Sequence, residues 1–170
     1  LPKNSPVFGR KDLDFFEAYR FIIPGYNVRS SEINAAIGIE QLKKLPAMTA
    51  ARRKNLKLFQ QLFADDDRFI IQRENGANSS FCFPIVLNPS HQPDRLKVFA
   101  ALDSADIGYR IITGGNILRH DVIQHYDFEA VGDMKNANTA HDLGFFVGNH
   151  PFDLTPQLTR LREVLDVACK

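Results

Sequence analysis

The sequence predicts an α+β domain in which helices cover a small, mainly antiparallel β-sheet. Two observations lead to this prediction: helical periodicity dominates from residue 31 to about residue 64, and short strand candidates alternate with helices after it. Such strands bury one apolar face, and the helices between them supply the layer that covers it. The 170 residues suffice for one domain, predicted at 31–170, preceded by an extended arm at 1–30.

Two helical runs are predicted before the first strand. Ser30 or Ser31 can supply the N-cap oxygen of the first run. Pro46 lacks a backbone donor, so we expect the helix to break or kink there. After Pro46, apolar side chains recur with a period of 3.6 residues up to Ala64, and Asp65-Asp66-Asp67 ends the second run.

Prolines and glycines constrain the later elements. Pro84 lies within a strand candidate and favours an edge strand or a bulge, because proline cannot donate to the ladder. Pro93 suits the first position of one helix, and Thr155-Pro156 suits the cap and first position of another. The pair Gly114-Gly115 predicts a turn. The predicted elements are strands at 69–72, 80–87, 107–112 and 145–147 and helices that begin near residues 93, 136 and 155.

Composition excludes several classes of partner. The net charge of +1 gives no field that would attract nucleic acid or an anionic membrane, and no apolar run reaches the length of a membrane span. The two cysteines, Cys82 and Cys169, form neither a disulfide framework nor a metal set. We therefore expect a cytoplasmic protein that binds neither nucleic acid nor a membrane.

Residues 1–30 are predicted to form an arm with a short helix around Asp12–Tyr19. Several prolines and glycines interrupt this stretch, and an aromatic cluster within it needs a surface to cover it, which its own domain can supply. The sequence does not begin with methionine, so we expect the chain to be part of a longer protein.

The stretch from Pro24 to Glu32 is the first candidate site. Its backbone N–H groups at a helix start, the helix dipole and Arg29 together favour an anion such as phosphate, and Asn27 lies beside them. An ordinary capped turn is the alternative interpretation, and the residue types leave both open.

Two later segments are also unusual in composition. Gly144–Pro151 is typical of a buried strand, and Asn149-His150 at its end either faces a cleft or caps the strand. The other segment is either a ligand site that backbone can approach closely or a loop rich in turn residues. It contains Arg110, Asn116, Arg119 and His120 around the glycine pair.

Motifs of the common catalytic sites are absent from the sequence. It contains no phosphate-loop, zinc-protease or serine-hydrolase signature. The five histidines do not show the spacing of a metal site, so we expect no bound metal.

These segments, in this order, resemble a known family. The run Gly25-Tyr26-Asn27-Val28-Arg29, followed by Glu32 and Ala35-Ala36-Ile37-Gly38, resembles a signature of the DegT/DnrJ/EryC1/StrS sugar aminotransferase superfamily. Residues 38–46, 110–116 and 146–150 resemble its 3-dehydratase branch. The resemblance implies the C-terminal small domain of an aspartate-aminotransferase-type enzyme of fold type I. It also implies pyridoxal or pyridoxamine phosphate as cofactor, a nucleotide-linked keto sugar as substrate, glutamate as amino donor and an active site at a homodimer interface.

The resemblance also assigns roles to individual residues. Asn27 is expected to contact the cofactor phosphate in the neighbouring subunit, and Arg29 to lie near the same phosphate or the substrate. The residues expected close to the sugar nucleotide are Arg110, Asn116, Arg119 and His120. The catalytic lysine or histidine of the family precedes Leu1, so no catalytic residue is assigned and the chain alone is expected to be inactive.

The function implied by this resemblance is removal of the C3 hydroxyl from a GDP-linked 4-keto-6-deoxy sugar, in deoxysugar and lipopolysaccharide biosynthesis. A nucleotide-sugar aminotransferase of the same superfamily is one alternative. A non-catalytic small domain that binds a partner or dimerises is another.

Overall fold

The computed structural model of the chain describes residues 23–25 and 31–170. The predicted arm, with its helix near Asp12–Tyr19, therefore lies almost wholly outside the described residues. No helix in the described part is long and apolar enough to cross a membrane. The helices are α1 (Glu32–Phe63), α2 (Arg95–Ser104), α3 (Lys135–Leu143) and α4 (Thr155–Ala168), and the strands are β1 (Phe69–Ile71), β2 (Cys82–Leu87), β3 (Tyr109–Ile111) and β4 (Gly144–Gly148).

Helix α1 begins where the sequence predicts but is not interrupted. The Ser31 side chain caps it by accepting a hydrogen bond from the Asn34 amide at 3.4 Å. Pro46 lies inside one continuous helix, so the predicted division into two runs is wrong. Proline removes the hydrogen bond to the carbonyl of Leu42, four residues earlier. Because Leu42 is 65% exposed, water can bind that carbonyl, and the helix tolerates the loss.

The four strands form one antiparallel sheet in the order β1-β2-β4-β3, as the sequence predicts in outline. Strand β2 alternates between the core and the other face of the sheet, with Phe83, Ile85 and Leu87 buried. This alternation fixes which face receives the helices.

Pro84 does not lie on an edge strand, because β2 has β1 on one side and β4 on the other. Strand β1, however, pairs only with residues 85–87. Pro84 pairs with Phe146 of β4 and has no β1 residue opposite it. At Pro84, β2 is therefore locally the edge of the sheet, with β4 and β3 on one side and no strand on the other, and an edge position tolerates proline.

The core forms between the sheet and three of the helices. The C-terminal half of α1, together with α2 and α4, supplies apolar side chains to one cluster with the inward residues of the strands. Its central aromatic contact is the stacking of Phe59 on Phe83, with ring centroids 4.8 Å apart. The buried members of the cluster are Phe59, Phe63, Phe69, Phe83, Ile85, Leu87, Val98, Phe99, Leu102, Phe145, Val147, Leu154, Leu158, Leu161, Leu165 and Ala168.

Two helix starts differ from the prediction by one or two residues. Pro93 precedes α2, whose cap is Asp94, a side chain that accepts from two amides of the first turn. Thr155 is the first helical residue of α4 instead of its cap. Its amide and hydroxyl both donate to Asp153 Oδ1, and these bonds lower the pKa of the Asp153 carboxyl to about 2. In both cases the acceptor is a carboxylate, which the positive end of the helix favours.

Four alternating charges connect the end of α1 to α4. Arg68 Nη2 lies 2.7 Å from Asp66 Oδ2 and 2.5 Å from Asp166 Oδ1. Arg162 Nη2 lies 2.5 Å from the same Asp66 oxygen and 2.8 Å from the same Asp166 oxygen. Arg162 also donates to the Leu62 carbonyl at 2.8 Å, so the network supplies a hydrogen-bond donor to a carbonyl in the last turn of α1.

Asp66 is the least exposed member of the network, with 14% of its side chain accessible. Hydrogen bonds from Arg68, followed by those from Arg162, hold the pKa of the Asp66 carboxyl well below its usual range. Its stabilising contribution is therefore complete above the unfolded pKa of about 3.9 and is lost as the pH falls below that value towards the folded pKa.

We expect Asp66→Asn to lower the free energy of unfolding by about 2 kcal/mol at neutral pH, since it removes hydrogen bonds between charged groups. The difference from wild type should shrink as the pH falls below about 4. Urea unfolding at several pH values measures both effects. Asp65→Asn is the matched control, because Asp65 is the adjacent aspartate and is exposed. An equal loss in both variants would show that the network does not stabilise the domain.

Candidate functional site

The segment after β3 is shaped by two glycines with left-handed backbone. Gly114 has φ +79° and Gly115 has φ +46°, values that side chains disfavour. A Cβ on Gly115 would lie 2.6 Å from Nδ1 of His141, so glycine is also needed to let the backbone approach that ring. The chain can therefore turn back against α3 directly after the strand.

Asn116 follows the glycines and ends the turn. It is 4% exposed, and its Oδ1 accepts the Leu118 amide at 3.0 Å, capping the 3₁₀ turn Ile117–Arg119. Its Nδ2 donates to Asn138 Oδ1 at 2.8 Å, and its backbone N–H donates to His141 Nδ1 at 3.2 Å. Both acceptors lie on one face of α3, three residues apart, so the turn is docked on that helix.

His120 closes the same turn from its far end. The ring is 9% exposed, and Nε2 lies 2.7 Å from the Gly114 carbonyl oxygen. A carbonyl only accepts, so Nε2 of His120 carries the proton of this bond. The His120 and His141 rings meet edge to face, with centroids 5.9 Å apart.

Two arginines bring positive charge to this cluster. Arg119 pairs with Asp142 at 2.7 Å, and its side chain stays 44% exposed. Arg95 of α2 donates to the His141 carbonyl at 2.8 Å and lies over the Phe99 ring. Burial lowers the pKa of the Arg95 guanidinium, although Asp142 opposes this. The two cations give this side of the domain an electrostatic preference for anions.

The structure brings three of the four predicted sugar-nucleotide residues together. Asn116, Arg119 and His120 surround one turn, while Arg110 lies on β3, opposite Phe146, with an exposed side chain. The Asn116 amide and the His120 ring hold the turn itself. The guanidinium groups of Arg110 and Arg119 remain exposed. Asn27 and Arg29, predicted for the cofactor phosphate, lie outside the described residues.

The sequence interpretation missed the side of the site that α3 supplies. Asn138, His141 and Asp142 all contact the turn residues. Their spacing within one predicted helix was the available signal, because residues three and four apart share a face. Their partners are 22 to 25 positions away along the chain, which no local pattern reveals.

Asn149 has a structural position, whereas His150, the second residue of the pair, is exposed and lines a pocket beside α4. Asn149 is 2% exposed, and its Nδ2 donates to the carbonyls of Arg52 and Ser80 at 3.1 and 2.9 Å. Its Oδ1 accepts from Asn55 Nδ2 at 3.1 Å. Asn149 therefore caps the end of β4 against α1 and does not face a cleft.

Asn55 completes this buried amide pair from α1. Its Nδ2 also points to the carbonyls of His150 and Phe152, at 3.0 and 2.7 Å, and its Oδ1 accepts the Leu154 amide at 3.2 Å. The pair thus satisfies backbone groups on both sides of the connection between β4 and α4.

We expect Asn55→Asp to destabilise the domain by at least about 3 kcal/mol. The substitution buries a charge and removes the donor for several carbonyls at once. Asn136→Asp is the control, because that asparagine is exposed on α3. Thermal and urea unfolding of both variants measure the effect, and equal stabilities would contradict a role of Asn55 as the buried donor.

Across the described ranges, no group of three or more His, Cys, Asp or Glu side chains is arranged to hold a metal ion. The candidate site consists of a hydrogen-bonded turn and the exposed guanidinium groups of Arg110 and Arg119.

Comparison with known proteins gives a consistent family. Residues 6–157 match the model of the DegT/DnrJ/EryC1/StrS aminotransferase family. The chain is 40% identical over 167 residues to GDP-4-keto-6-deoxy-D-mannose 3-dehydratase of Yersinia pseudotuberculosis. The aligned region covers 97% of this chain and 42% of that protein. The chain thus spans less than half the length of this relative.

Solved structures agree with this match. The Escherichia coli GDP-4-keto-6-deoxy-D-mannose 3-dehydratase with bound hydrated pyridoxal phosphate superposes with a TM-score of 0.77 at 40% identity, over 97% of this chain and 43% of that one. A variant of GDP-4-keto-6-deoxymannose 3-dehydratase with bound GDP-perosamine has the same TM-score, identity and coverage. The predicted fold class, a small α+β domain of a fold type I enzyme, is confirmed. The chain therefore belongs to the DegT/DnrJ/EryC1/StrS aminotransferase family.

Proposed function

We propose that this chain is the C-terminal part of a cofactor-dependent 3-dehydratase that removes the C3 hydroxyl of a GDP-linked 4-keto-6-deoxy sugar. The observation that carries the proposal is the 40% identity, extending over 97% of the chain, to a relative with that activity. The match covers nearly the whole chain, and the chain also resembles the dehydratase branch in residues 38–46, 110–116 and 146–150.

The cofactor that we propose is pyridoxal or pyridoxamine phosphate, which supplies an electron sink when it is bound. Asn27 is proposed to donate its amide to the cofactor phosphate of the neighbouring subunit, and Arg29 to place its guanidinium near the same group. This assignment rests on the match of Gly25–Arg29 to the family signature. An amide and a guanidinium beside a helix start are suited to a phosphate.

The sugar nucleotide is proposed to lie against the turn after β3. Arg110 and Arg119 keep exposed guanidinium groups and suit the two phosphates of a nucleoside diphosphate, because guanidinium binds phosphate oxygens in pairs. Asn116 and His120 are buried and already bonded to the turn. Their proposed role at this site is to shape the backbone that faces the sugar nucleotide.

We further propose that the enzyme is a homodimer, with glutamate as amino donor. Support for the dimer comes from the first half of α1, which carries several large apolar side chains that are exposed in the single chain. A group of exposed apolar side chains of this kind is typical of a surface that another part of the assembly covers. These side chains are Ile33, Ile37, Ile39, Leu42 and Leu45, which are 48% to 73% exposed in the single chain.

The reaction is tested by incubating the full-length protein that carries this chain with pyridoxal phosphate, glutamate and GDP-4-keto-6-deoxymannose. We expect a sugar nucleotide that has lost one oxygen atom, with one 2-oxoglutarate and one ammonia released for each molecule converted. Mass spectrometry identifies the product, and a coupled assay measures the ammonia. A stable 4-amino sugar without ammonia would instead identify an aminotransferase, and no conversion with no cofactor spectrum would favour a non-catalytic domain.

The cofactor contact gives a separate prediction. We expect Asn27→Ala to raise the dissociation constant of pyridoxamine phosphate by roughly one to two orders of magnitude, because a hydrogen bond to a charged group is worth about 1.5–3 kcal/mol. Fluorescence titration of the full-length protein measures this constant. Asn34→Ala is the control, because Asn34 is an exposed asparagine in the first turn of α1. An unchanged constant in Asn27→Ala would remove Asn27 from the cofactor site.

A further inference from the structure

His141 is one of the two α3 side chains that bind Asn116 in the turn after β3. Its Nδ1 accepts the Asn116 backbone N–H at 3.2 Å, and the Gly115 backbone passes so close that no side chain fits between them. A ring nitrogen that accepts a hydrogen bond carries no proton. The geometry therefore requires neutral His141 with its proton on Nε2, and a second proton on Nδ1 would turn the acceptor into a donor facing another donor.

The surroundings of His141 favour this neutral form. Burial is the largest cause that holds the pKa of His141 below its ordinary value. Arg119 from the 3₁₀ turn, His120 after it and Arg95 from α2 act in the same direction, and only Asp142, the next residue of α3, opposes them. The charged groups around the ring thus disfavour a second proton.

We propose that neutral His141 is a positioning residue, which holds the Gly114–Asn116 turn in the shape that binds the sugar nucleotide, and that protonation of His141 releases the turn. The inference rests on the proposed function for the identity of the ligand. It goes beyond that function by naming a residue of α3 that acts through the backbone, and by making substrate affinity depend on pH.

The direction of the pH effect follows from the lowered pKa. The hold is complete above the ordinary histidine pKa of about 6.5 and is lost as the pH falls through the lower value in the folded protein. Acidification should therefore weaken the turn before it unfolds the domain. The turn should be restored when the pH is raised again.

Three variants separate this role from a general effect on stability. His141→Asn places an amide oxygen near the position of Nδ1, so it keeps an acceptor that does not titrate. His141→Leu removes the acceptor at every pH. His125→Asn is the matched control, because His125 is an exposed histidine of the neighbouring 3₁₀ turn Asp121–His125.

The first measurement is hydrogen exchange of the Asn116 amide in the full-length protein, corrected for the intrinsic pH dependence of exchange. Between about pH 7.5 and the lowest pH at which the domain stays folded, wild type and His125→Asn should lose protection by about threefold to tenfold, the factor of one ordinary hydrogen bond. His141→Asn should stay protected at both pH values, and His141→Leu should be unprotected at both. Wild-type protection in His141→Leu, or the same pH dependence in His141→Asn as in wild type, would overturn the proposal.

The second measurement is KM for the GDP-linked keto sugar in the same proteins. KM should rise in wild type on acidification and in His141→Leu at neutral pH, stay flat with pH in His141→Asn, and leave kcat at neutral pH nearly unchanged. An active His141→Leu enzyme with wild-type KM would overturn the positioning role. If wild type converts no sugar nucleotide at neutral pH, the proposed function fails, while amide exchange still decides whether His141 holds the turn.

Discussion

The buried amide pair of Asn55 and Asn149 is the interaction on which the rest of the domain depends. It joins the middle of α1 to the end of β4 and to the start of α4, across 94 positions of sequence. The pair is buried and binds backbone groups of α1, of the segment before β2 and of the connection to α4, and an unpaired buried polar group costs about 1–3 kcal/mol. Asn149 directly follows β4, so this pair also fixes the end of the strand that lies between β2 and β3 in the sheet.

The candidate site is built outward from that strand. Strand β4 pairs with β3, the turn of Gly114–Asn116 follows β3, and α3 runs directly into β4. Because β3 and β4 are antiparallel, the turn and the helix that holds it lie at the same end of this strand pair. Gly144 shows how tightly they meet, since a Cβ there would lie 2.5 Å from the Ile112 side chain.

The ionic network at the other end of the domain has a different role. This network holds the end of α1 against α4, on the side of the sheet that carries β1. Its members are Asp66, Arg68, Arg162 and Asp166. Arg162 also lies over the Phe63 ring, with its guanidinium carbon 5.3 Å from the ring centroid. Charges of opposite sign that share hydrogen bonds can remain near a core without the full cost of desolvation. The candidate site lies elsewhere in the domain, around the loop after β3.

The sequence by itself determined the α+β class, the strands and the family, because periodicity, turn residues and short motifs are local patterns. It erred at three local rules. Helix α1 continues through Pro46, α2 begins after Asp94 instead of at Pro93, and Thr155 is the first residue of α4 instead of its cap. Only the tertiary structure decided that Asn149 and Asn116 are buried hydrogen-bonding residues and that His141 belongs to the site. Those roles are set by partners 22 or more positions away, and an asparagine or histidine has the same appearance in the sequence whether its partner is water, backbone or ligand.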